Sequence, residues 1–174
     1  MTECTKSQLR HTALHLAPFR LPCPESGSPV RYSVRMPTRR LDPQASHTLV
    51  TQGWTYLDVR TVEEYAAGHP SGAWNIPVML RGGMGMEPNP TFVAAVQRHF
   101  APGTKLVVGC ASGRRSTRAC ELLTAAGYSE LVDVAGGFAG GQQADGSPQP
   151  GWQECGLPCS TKAEPERTWD RLKS

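Results

Sequence analysis

A strand pattern, a cysteine and a helix pattern follow one another within residues 106–128, and this order constrains the fold more than any other stretch. The apolar run 106–109 resembles a buried strand, and a helical pattern extends from about residue 116 to residue 126. A helix N-terminus carries unpaired N–H groups and a partial positive charge, so it stabilises an adjacent anion. Cys110 stands between strand and helix, where this field favours the nucleophilic thiolate. We therefore predict a reactive cysteine in an anion-binding loop.

The residues that follow Cys110 are small or basic, which a buried structural cysteine does not require. The predicted site comprises the nucleophile and the next six residues: Cys110, Ala111, Ser112, Gly113, Arg114, Arg115 and Ser116. The Arg115 guanidinium would support the loop carbonyls or contact a bound anion. Arg114 would be a second such contact or a solvated surface charge. Ser116 would donate to the thiolate, cap the helix, or do both.

Asp58 and Arg60 lie at another predicted turn between a strand and a helix. Both residue types occur in catalytic sites, but a charged pair that ties this loop to its neighbour is the simpler interpretation. We therefore assign Asp58 and Arg60 to structural support of the site. His69 follows a glycine in a turn and has no visible partner, so we do not assign it as a base.

Strand and helix patterns alternate along most of the chain, which predicts an α/β fold with a mainly parallel sheet. Strands are predicted at residues 54–59, 73–76, 106–109 and 131–134. Helices are predicted in the stretch after Cys110 and after the capping residues Asp42, Thr61 and Asn89. Residues 81–86 and 136–150 lack periodicity and are predicted to be irregular surface segments. In parallel sheets ligands bind beyond the carboxyl ends of the strands, where Cys110 is placed.

Charge is distributed unevenly along the 174 residues, whose overall net charge is +3. Residues 1–40 carry seven Lys or Arg against two acids, and the remaining 134 residues balance at −2. The folded part is therefore not basic, so neither a nucleic-acid partner nor a membrane partner is predicted. No apolar run in the sequence approaches the ~18 residues that a membrane span needs.

Three segments are predicted: an arm at residues 1–40, one domain at residues 41–159 and a charged, frayed tail at residues 160–174. Prolines interrupt the arm, which favours a disordered tail or a gene-model extension upstream of Met36. The arm's arginines, hydroxyl residues and shortage of acids also fit an organelle transit peptide. We expect a cytoplasmic protein, or a plastid or other organellar protein if the arm is a transit peptide.

The six cysteines are irregularly spaced, which predicts a reduced chain rather than a disulfide framework. Cys120 lies among helical leucines and is predicted to belong to the core. Cys155 and Cys159 form a single Cys-x3-Cys pair, and no histidine completes a metal-ligand motif with them. No metal and no cofactor are predicted. A role for Cys155 or Cys159 as a resolving thiol for Cys110 stays open.

Three linked motifs resemble those of the rhodanese family. Its first signature resembles residues 57–65 (LDVRTVEEY) and 68–77 (GHPSGAWNIP), its active-site loop resembles residues 110–116 (CASGRRS), and its closing motifs resemble residues 134–138 and 156–158. The resemblance covers roughly residues 41–158 and is strongest to single-domain sulfurtransferases of bacteria and plastids, whose arginine–glycine loop is similar to residues 81–86. In one departure, the tryptophan that usually follows the Gly-Gly pair is replaced, and Trp152 comes after an insertion at residues 144–150.

The resemblance implies a central parallel sheet of about five strands flanked by helices. It also implies that Cys110 takes a sulfane sulfur from a small-molecule donor such as thiosulfate and holds it as a persulfide. The acceptor would be cyanide, a small thiol or a protein sulfur acceptor. The resemblance therefore implies a strand number for the sheet and a reaction for the predicted reactive cysteine.

Loop length favours sulfur transfer over two alternatives. Phosphatases and arsenate reductases of the same fold carry a Cys-x5-Arg loop, which is wide enough for a tetrahedral oxyanion. Here Arg115 completes a Cys-x4-Arg loop and Ser116 stands at the sixth position. Arsenate or phosphate-ester chemistry is therefore the second hypothesis. The third is a non-catalytic persulfide carrier or sensor that passes sulfur to a protein partner.

Overall fold

The computed structural model describes residues 38–174, so residues 1–37, and with them most of the predicted arm, lie outside the described part. Its strands are β1 (Arg39–Leu41), β2 (Thr55–Asp58), β3 (His69–Pro70), β4 (Trp74–Asn75), β5 (Met79–Gly82), β6 (Gly85–Pro88), β7 (Leu106–Gly109), β8 (Leu131–Val134), β9 (Gly141–Gln142), β10 (Pro148–Gln149) and β11 (Cys159–Ser160). Its helices are α1 (Pro43–Thr51), α2 (Val62–Ala67), α3 (Phe92–His99), α4 (Arg114–Ala125) and α5 (Trp169–Leu172), with a 3-10 turn at Pro165–Arg167. Within residues 38–174, no helix has both the length and the apolar character needed to cross a membrane.

A five-stranded parallel sheet in the order β1-β8-β7-β2-β4 forms the centre of the domain. β7 is the middle strand and all of its residues are buried, as its continuous apolar sequence predicts. Leu106 and Val108 join a core cluster with residues of α3 and α4, whereas Val107 joins a second cluster with Tyr56 and Trp152. Both faces of the sheet are therefore covered, and the predicted α/β fold with a five-stranded parallel sheet is confirmed.

Helix starts follow the capping chemistry of the sequence. The Asp42 side chain accepts a hydrogen bond from the Ala45 N–H at 2.8 Å, and Thr61 and Glu64 form both halves of a capping box. α4 begins two residues before its predicted start, because Gly113 adopts a left-handed conformation (φ 98°) that turns the loop directly into the helix. The helix therefore begins only four residues after the cysteine.

The first strand of the sheet includes Arg39 and Arg40, which the sequence analysis assigns to the arm. β1 pairs in parallel with β8, and Arg40 lies opposite Asp133. The strand is only three residues long and Leu41 is its sole apolar residue, so it carries no periodic signal. The sheet thus begins two residues before the predicted domain boundary.

Residues 81–86 are not the irregular segment that their sequence predicts, since β5 and β6 form an antiparallel hairpin there. Met84 lies in its turn and is 98% exposed. Every residue of β6 is exposed, so the hairpin lacks the alternation of buried and exposed positions that a sequence could display. β9 and β10 likewise form a short antiparallel pair inside the segment 136–150 that is predicted to be irregular.

The sequence predicts a frayed C-terminal tail, but in the structure the tail packs against the domain. Trp169 and Leu172 of α5 are buried in the core cluster that contains α3 and α4 residues. His99, at the end of α3, lies with its ring Nε2 3.0 Å from the Leu172 carbonyl oxygen. The two apolar residues of α5 are three positions apart and so share one helix face. A helix of four residues is too short for that pattern to be recognised from sequence.

Candidate active site

Cys110 directly follows β7, and its sulfur lies at the start of α4. The Gly113 N–H donates a hydrogen bond to Cys110 Sγ at 3.1 Å, and the distance from Sγ to Ser116 Oγ is 3.5 Å. The cysteine is buried, with 1% of its surface exposed. A backbone donor and a helix N-terminus therefore both adjoin the sulfur, and such an arrangement stabilises a thiolate or a sulfur-bearing anion.

Ser116 contacts the thiol and the loop backbone together. Its hydroxyl donates to the Gly113 carbonyl oxygen at 3.1 Å, while the Cys110 thiol donates to Ser116 Oγ. A hydroxyl has one proton, so donation to a thiolate requires that proton to leave the carbonyl of Gly113. Ser116 therefore links the protonation state of the sulfur to the first turn of α4.

Arg115 donates its hydrogen bonds to Glu64, whereas the sequence predicts that its guanidinium supports the loop carbonyls or contacts a bound anion. Two contacts of 2.6 Å join its guanidinium to the two carboxylate oxygens. Burial alone would raise the pKa of Glu64, but hydrogen bonds from Arg115 and from the Thr61 N–H lower it to about 2. Arg114 and Ser112 are exposed, and Arg114 has no hydrogen-bonded or ionic partner among the described residues.

The segment of residues 136–139, which begins with the Gly-Gly pair, packs behind the loop and holds it through backbone hydrogen bonds. The Phe138 N–H donates to the Cys110 carbonyl oxygen at 2.7 Å, and the Ala139 N–H donates to the Ala111 carbonyl oxygen at 2.9 Å. Gly137 has a φ of 60°, and a Cβ atom there would collide with the Cys110 carbonyl oxygen. Glycine is therefore required for this close approach of two backbone segments.

Asp58 and Arg60 form a buried ion pair, with 2.6 Å between Oδ2 and Nη2. Arg60 also donates to the Gly68 carbonyl oxygen at 2.6 Å, and its guanidinium lies 4.1 Å from the centre of the Phe138 ring. Burial opposes the charged form, but the neighbouring Asp58 carboxylate raises the pKa of Arg60. The pair joins the turn between β2 and α2 to the segment behind the loop.

Comparison with known proteins assigns a family to this arrangement. Residues 43–144 match the family described as rhodanese-like domain. The chain belongs to the rhodanese-like domain family. It is 42% identical over 118 residues to thiosulfate sulfurtransferase 16, chloroplastic, of Arabidopsis thaliana, an overlap of 68% of this chain and 88% of that protein. It is 35% identical over 99 residues to the mitochondrial protein HIGH ARSENIC CONTENT 1 of the same plant, an overlap of 57% and 59%.

A solved structure shares the fold of this chain. The crystal structure of Rv0390 from M. tuberculosis superimposes with a TM-score of 0.60 at 24% identity, covering 72% of this chain and 98% of that one. At this identity the similarity establishes the fold alone. Together with the family match it confirms the resemblance predicted from the three motifs.

A cavity of about 540 Å³ lies beside the loop of this rhodanese-like domain. Its walls include Arg60, Ala111 and Phe138, and Cys159 lines it as well. Burial raises the pKa of the Cys159 thiol. Of the two candidate resolving thiols, Cys159 lines this cavity and Cys155 does not. Cys120 is buried on α4, as predicted, and burial raises its pKa too.

A polar cluster behind the loop has no counterpart in the sequence analysis: Arg40 of β1, Thr117 of α4 and Asp133 of β8. Asp133 Oδ2 lies 3.2 Å from Arg40 Nη1 and 2.9 Å from Thr117 Oγ1. Thr117 Oγ1 is also 2.8 Å from the Gly113 carbonyl oxygen. Burial raises the pKa of Asp133 although these partners oppose it. This cluster could have been anticipated from Asp133, the single carboxylate in the otherwise apolar strand β8, because a buried charge needs a partner.

Trp152 and His69 have structural partners. The Trp152 ring is buried edge-on against Tyr56, with 5.0 Å between ring centres, and its Nε1 donates to the Pro158 carbonyl oxygen. The His69 ring stacks on the Tyr65 ring with 3.8 Å between ring centres, and its Nδ1 lies 2.8 Å from the Tyr65 carbonyl oxygen, partners that the sequence alone does not reveal. Among residues 38–174, no three His, Cys, Asp or Glu side chains converge as a metal site would require.

Proposed function

We propose that this rhodanese-like domain is a sulfurtransferase in which Cys110 carries a sulfane sulfur as a persulfide. The observation that carries the proposal is the position of Cys110 Sγ, which accepts the Gly113 N–H at 3.1 Å beside the N-terminus of α4. The relative named thiosulfate sulfurtransferase supports the same class of reaction.

In the first half-reaction the Cys110 thiolate attacks the outer sulfur of thiosulfate. A bond forms between Sγ and that sulfur, the sulfur–sulfur bond of thiosulfate breaks, and sulfite leaves with the electron pair. Charge is conserved, because a thiolate and a thiosulfate dianion become a persulfide anion and a sulfite dianion. The Gly113 N–H and the α4 N-terminus stabilise the anionic sulfur during this step.

In the second half-reaction a thiophilic acceptor attacks the terminal sulfur of the persulfide. Cyanide leaves as thiocyanate, or a thiolate leaves as a new persulfide, and the Cys110 thiolate is regenerated. Both steps balance without an external oxidant or reductant. Ser116 assists by turning its hydroxyl from the Gly113 carbonyl oxygen to the thiolate, which lies within 3.5 Å of it. A protein thiol fits the same step as a sulfur acceptor.

Arsenate reduction is the alternative that one relative favours, because that protein is named for arsenic content. A tetrahedral oxyanion needs several donors around it, whereas one sulfur atom needs few. Arg115 is held by Glu64, and Gly113 supplies a backbone donor to Cys110 Sγ. This donor set favours sulfur over arsenate.

The chloroplastic name of the other relative supports the organellar alternative for the compartment of this protein.

Intact-mass spectrometry of the reduced protein after exposure to thiosulfate tests the proposal directly. We expect the wild type and a Cys155→Ser control to gain one sulfur atom and to form thiocyanate from cyanide. Cys110→Ser should do neither. A wild type that neither gains sulfur nor forms thiocyanate would contradict the proposal. A stable persulfide with negligible turnover would instead indicate a carrier, and arsenite release from arsenate with glutathione would indicate the reductase.

A further inference from the structure

The polar cluster of Arg40, Thr117 and Asp133 reaches the same backbone carbonyl as Ser116, and the proposed sulfur-transfer steps make no use of it. Thr117 Oγ1 lies 2.8 Å from the Gly113 carbonyl oxygen, and Ser116 Oγ lies 3.1 Å from the same atom. Thr117 Oγ1 also lies 2.9 Å from Asp133 Oδ2. A short chain of polar contacts therefore leads from the Asp133 carboxylate to the acceptor of the Ser116 hydroxyl.

Thr117 has one hydroxyl proton and two acceptors within reach of it. Arg40 Nη1 donates to Thr117 Oγ1 at 3.2 Å, so the hydroxyl proton must be donated elsewhere. The Gly113 carbonyl oxygen and Asp133 Oδ2 compete for it at nearly equal distances. Asp133 Oδ1 is buried and has no hydrogen-bond partner among residues 38–174, so the carboxylate competes through Oδ2. The Thr117 hydroxyl therefore has two alternative directions.

The direction of the Thr117 hydroxyl determines whether the Gly113 carbonyl oxygen needs the Ser116 proton. A carbonyl oxygen has two lone pairs, and the Thr117 N–H approaches one of them at 3.3 Å. Ser116 is fully buried, so bulk water does not supply a further donor. When the Thr117 hydroxyl donates to the carbonyl, the Ser116 proton is free for Cys110 Sγ, 3.5 Å away. When it donates to Asp133 instead, the Ser116 proton stays on the carbonyl.

We propose that Thr117 is a positioning residue that controls the ionisation of Cys110 through Ser116. This inference rests on the proposed role of Cys110 as the nucleophile that carries sulfur. A hydroxyl that donates to the thiolate stabilises its negative charge. Loss of the Thr117 hydroxyl therefore disfavours the thiolate, whereas a weaker acceptor at position 133 favours it.

Other ionisable groups near Cys110 keep their charge in the neutral pH range. Arg115 and Cys120 of α4 and Tyr56 of β2 interact with it electrostatically, and the last two also interact with Asp133. Burial raises the pKa of the Cys120 thiol and of the Tyr56 hydroxyl, so both stay neutral. The buried ion pair at the end of β2 and the ion pair between α2 and α4 stay charged. A change in thiol ionisation between variants at position 117 is therefore not caused by these groups.

Asp133 is coupled to both hydroxyls of the first turn of α4. Burial raises the pKa of its carboxyl, whereas hydrogen bonding to the Ser116 and Thr117 hydroxyls and the charge of Arg40 lower it. The carboxylate thus acts on Ser116 directly as well as through Thr117. A double-mutant cycle separates the two routes.

The pH dependence of the Cys110 Cβ resonance, followed by NMR in the reduced protein, measures the ionisation of this thiol. Thr117→Val removes the hydroxyl and keeps the branched shape of the side chain. We expect it to raise the midpoint of the titration by about one pH unit, because a hydrogen bond to a charged group is lost. Thr117→Ser keeps the hydroxyl and should titrate like the wild type. Thr124→Val is the matched control, since Thr124 is a half-buried threonine of the same helix, as Thr117 is.

An unchanged midpoint in Thr117→Val, or an equal shift in Thr124→Val, would overturn the inference. A midpoint in Thr117→Ser equal to that of Thr117→Val would also overturn it, because the effect would then come from packing. Circular dichroism verifies the folded state of each variant. If Thr117→Val does not fold, Thr117→Ala takes its place, because alanine lacks the same hydroxyl and has a higher helix propensity.

Asp133→Asn completes the double-mutant cycle. A neutral amide competes less strongly for the Thr117 proton, so we expect the midpoint to fall. Loss of a negative charge near the sulfur lowers it as well, but that direct effect does not need Thr117. We therefore expect the fall to be reduced by about half or more when Asp133→Asn is combined with Thr117→Val. A fall of equal size in both backgrounds would assign the effect to charge alone and overturn the inference.

Sulfur loading from thiosulfate separates this inference from the proposed function. The NMR titration needs no sulfur transfer, so the expected shifts would support the role of Thr117 even if the wild type does not load sulfur. If it does load, Thr117→Val should load about tenfold more slowly below the midpoint and at the wild-type rate at high pH. Loading by the wild type with an unchanged midpoint in Thr117→Val would overturn the inference and leave the proposed function intact.

Discussion

The Glu64 carboxylate both caps helix α2 and binds Arg115 of the candidate site. Its Oε2 accepts the Thr61 N–H at 3.0 Å, which completes the capping box of α2. The same carboxylate accepts two hydrogen bonds from Arg115, which is 51 positions away in the chain. The spacing from threonine to glutamate predicts the cap, but not this ion pair, because the pair depends on how α2 and α4 approach each other at the end of the sheet.

Replacement of Glu64 by glutamine tests the ion pair through the pH dependence of stability. The pKa of this carboxyl is about 2 in the folded protein against an ordinary value of 4.5. The pair therefore stabilises the fold fully above pH 4.5 and progressively less as the pH falls towards 2. At neutral pH we expect Glu64→Gln to lower the free energy of unfolding by about 1 kcal/mol, a figure reduced for solvent screening of a partly exposed pair.

Urea unfolding at neutral pH and at about pH 2.5 measures this difference, since most Glu64 stabilisation is lost at the lower value. Glu63→Gln is the matched control, because Glu63 is the exposed neighbour on the same turn of α2. The deficit of Glu64→Gln should shrink at low pH. An equal deficit at both pH values would show that lost packing, rather than lost charge, causes it.

At the scale of elements, the loop of residues 110–116 depends on the segment that follows β8. Two hydrogen bonds from residues 138 and 139 hold the carbonyls of Cys110 and Ala111. These bonds fix the direction of the loop amides, and the Gly113 N–H among them faces the sulfur. The geometry of the cysteine is therefore set by two segments that are distant in sequence and meet where β7 and β8 end.

Gly137→Ala should distort this contact. The new Cβ would collide with the Cys110 carbonyl oxygen, whereas the Cβ of Gly127→Ala would meet nothing within 4 Å. Both glycines have positive φ, 60° at Gly137 and 98° at Gly127, so an alanine carries a conformational cost at either position and a larger one at Gly127. We expect Gly137→Ala to be less stable than Gly127→Ala by about 1 to 3 kcal/mol in urea unfolding.

Activity gives a second readout for the same pair of variants. The rate of sulfur loading from thiosulfate, followed by mass spectrometry, should fall in Gly137→Ala more than in Gly127→Ala. Similar stabilities and similar loading rates in the two variants would mean that the loop tolerates a side chain behind it. The close approach would then be unimportant for the position of Cys110.

At the scale of the whole molecule, the C-terminal helix completes one face of the domain. Trp169 is 7% exposed and belongs to the same core cluster as Phe92 and Leu123. Arg167 donates to the Gly72 carbonyl oxygen at 2.8 Å and adds a polar contact to this closure. The core is therefore larger than the predicted domain of residues 41–159, because it includes residues of the tail.

Trp169→Ala measures what the tail contributes to the fold. Removal of a large buried aromatic side chain costs about 3 kcal/mol or more in the free energy of unfolding. Asp170→Asn is the control on the same helix, because its side chain is 74% exposed. We expect thermal and urea unfolding to show a clear loss for Trp169→Ala and little change for Asp170→Asn. Indistinguishable variants would mean that α5 does not stabilise the domain.

The sequence by itself determines the α/β class, the helix caps and the identity of the loop. These features depend on neighbouring residues: the apolar run that becomes β7, the threonine–glutamate spacing of α2, and the order of residues 110–116. Local steric and hydrogen-bonding preferences are present in the unfolded chain too. They can therefore be read without knowledge of the fold.

The tertiary structure alone decided the partner of Arg115, the cluster around Asp133 and the burial of Trp169. Each depends on elements that are far apart in sequence and are brought together only when the sheet forms. Long side chains choose among several partners within reach, and spacing along the chain does not rank those partners. The sequence located the cysteine and its loop, whereas packing determined which groups surround them.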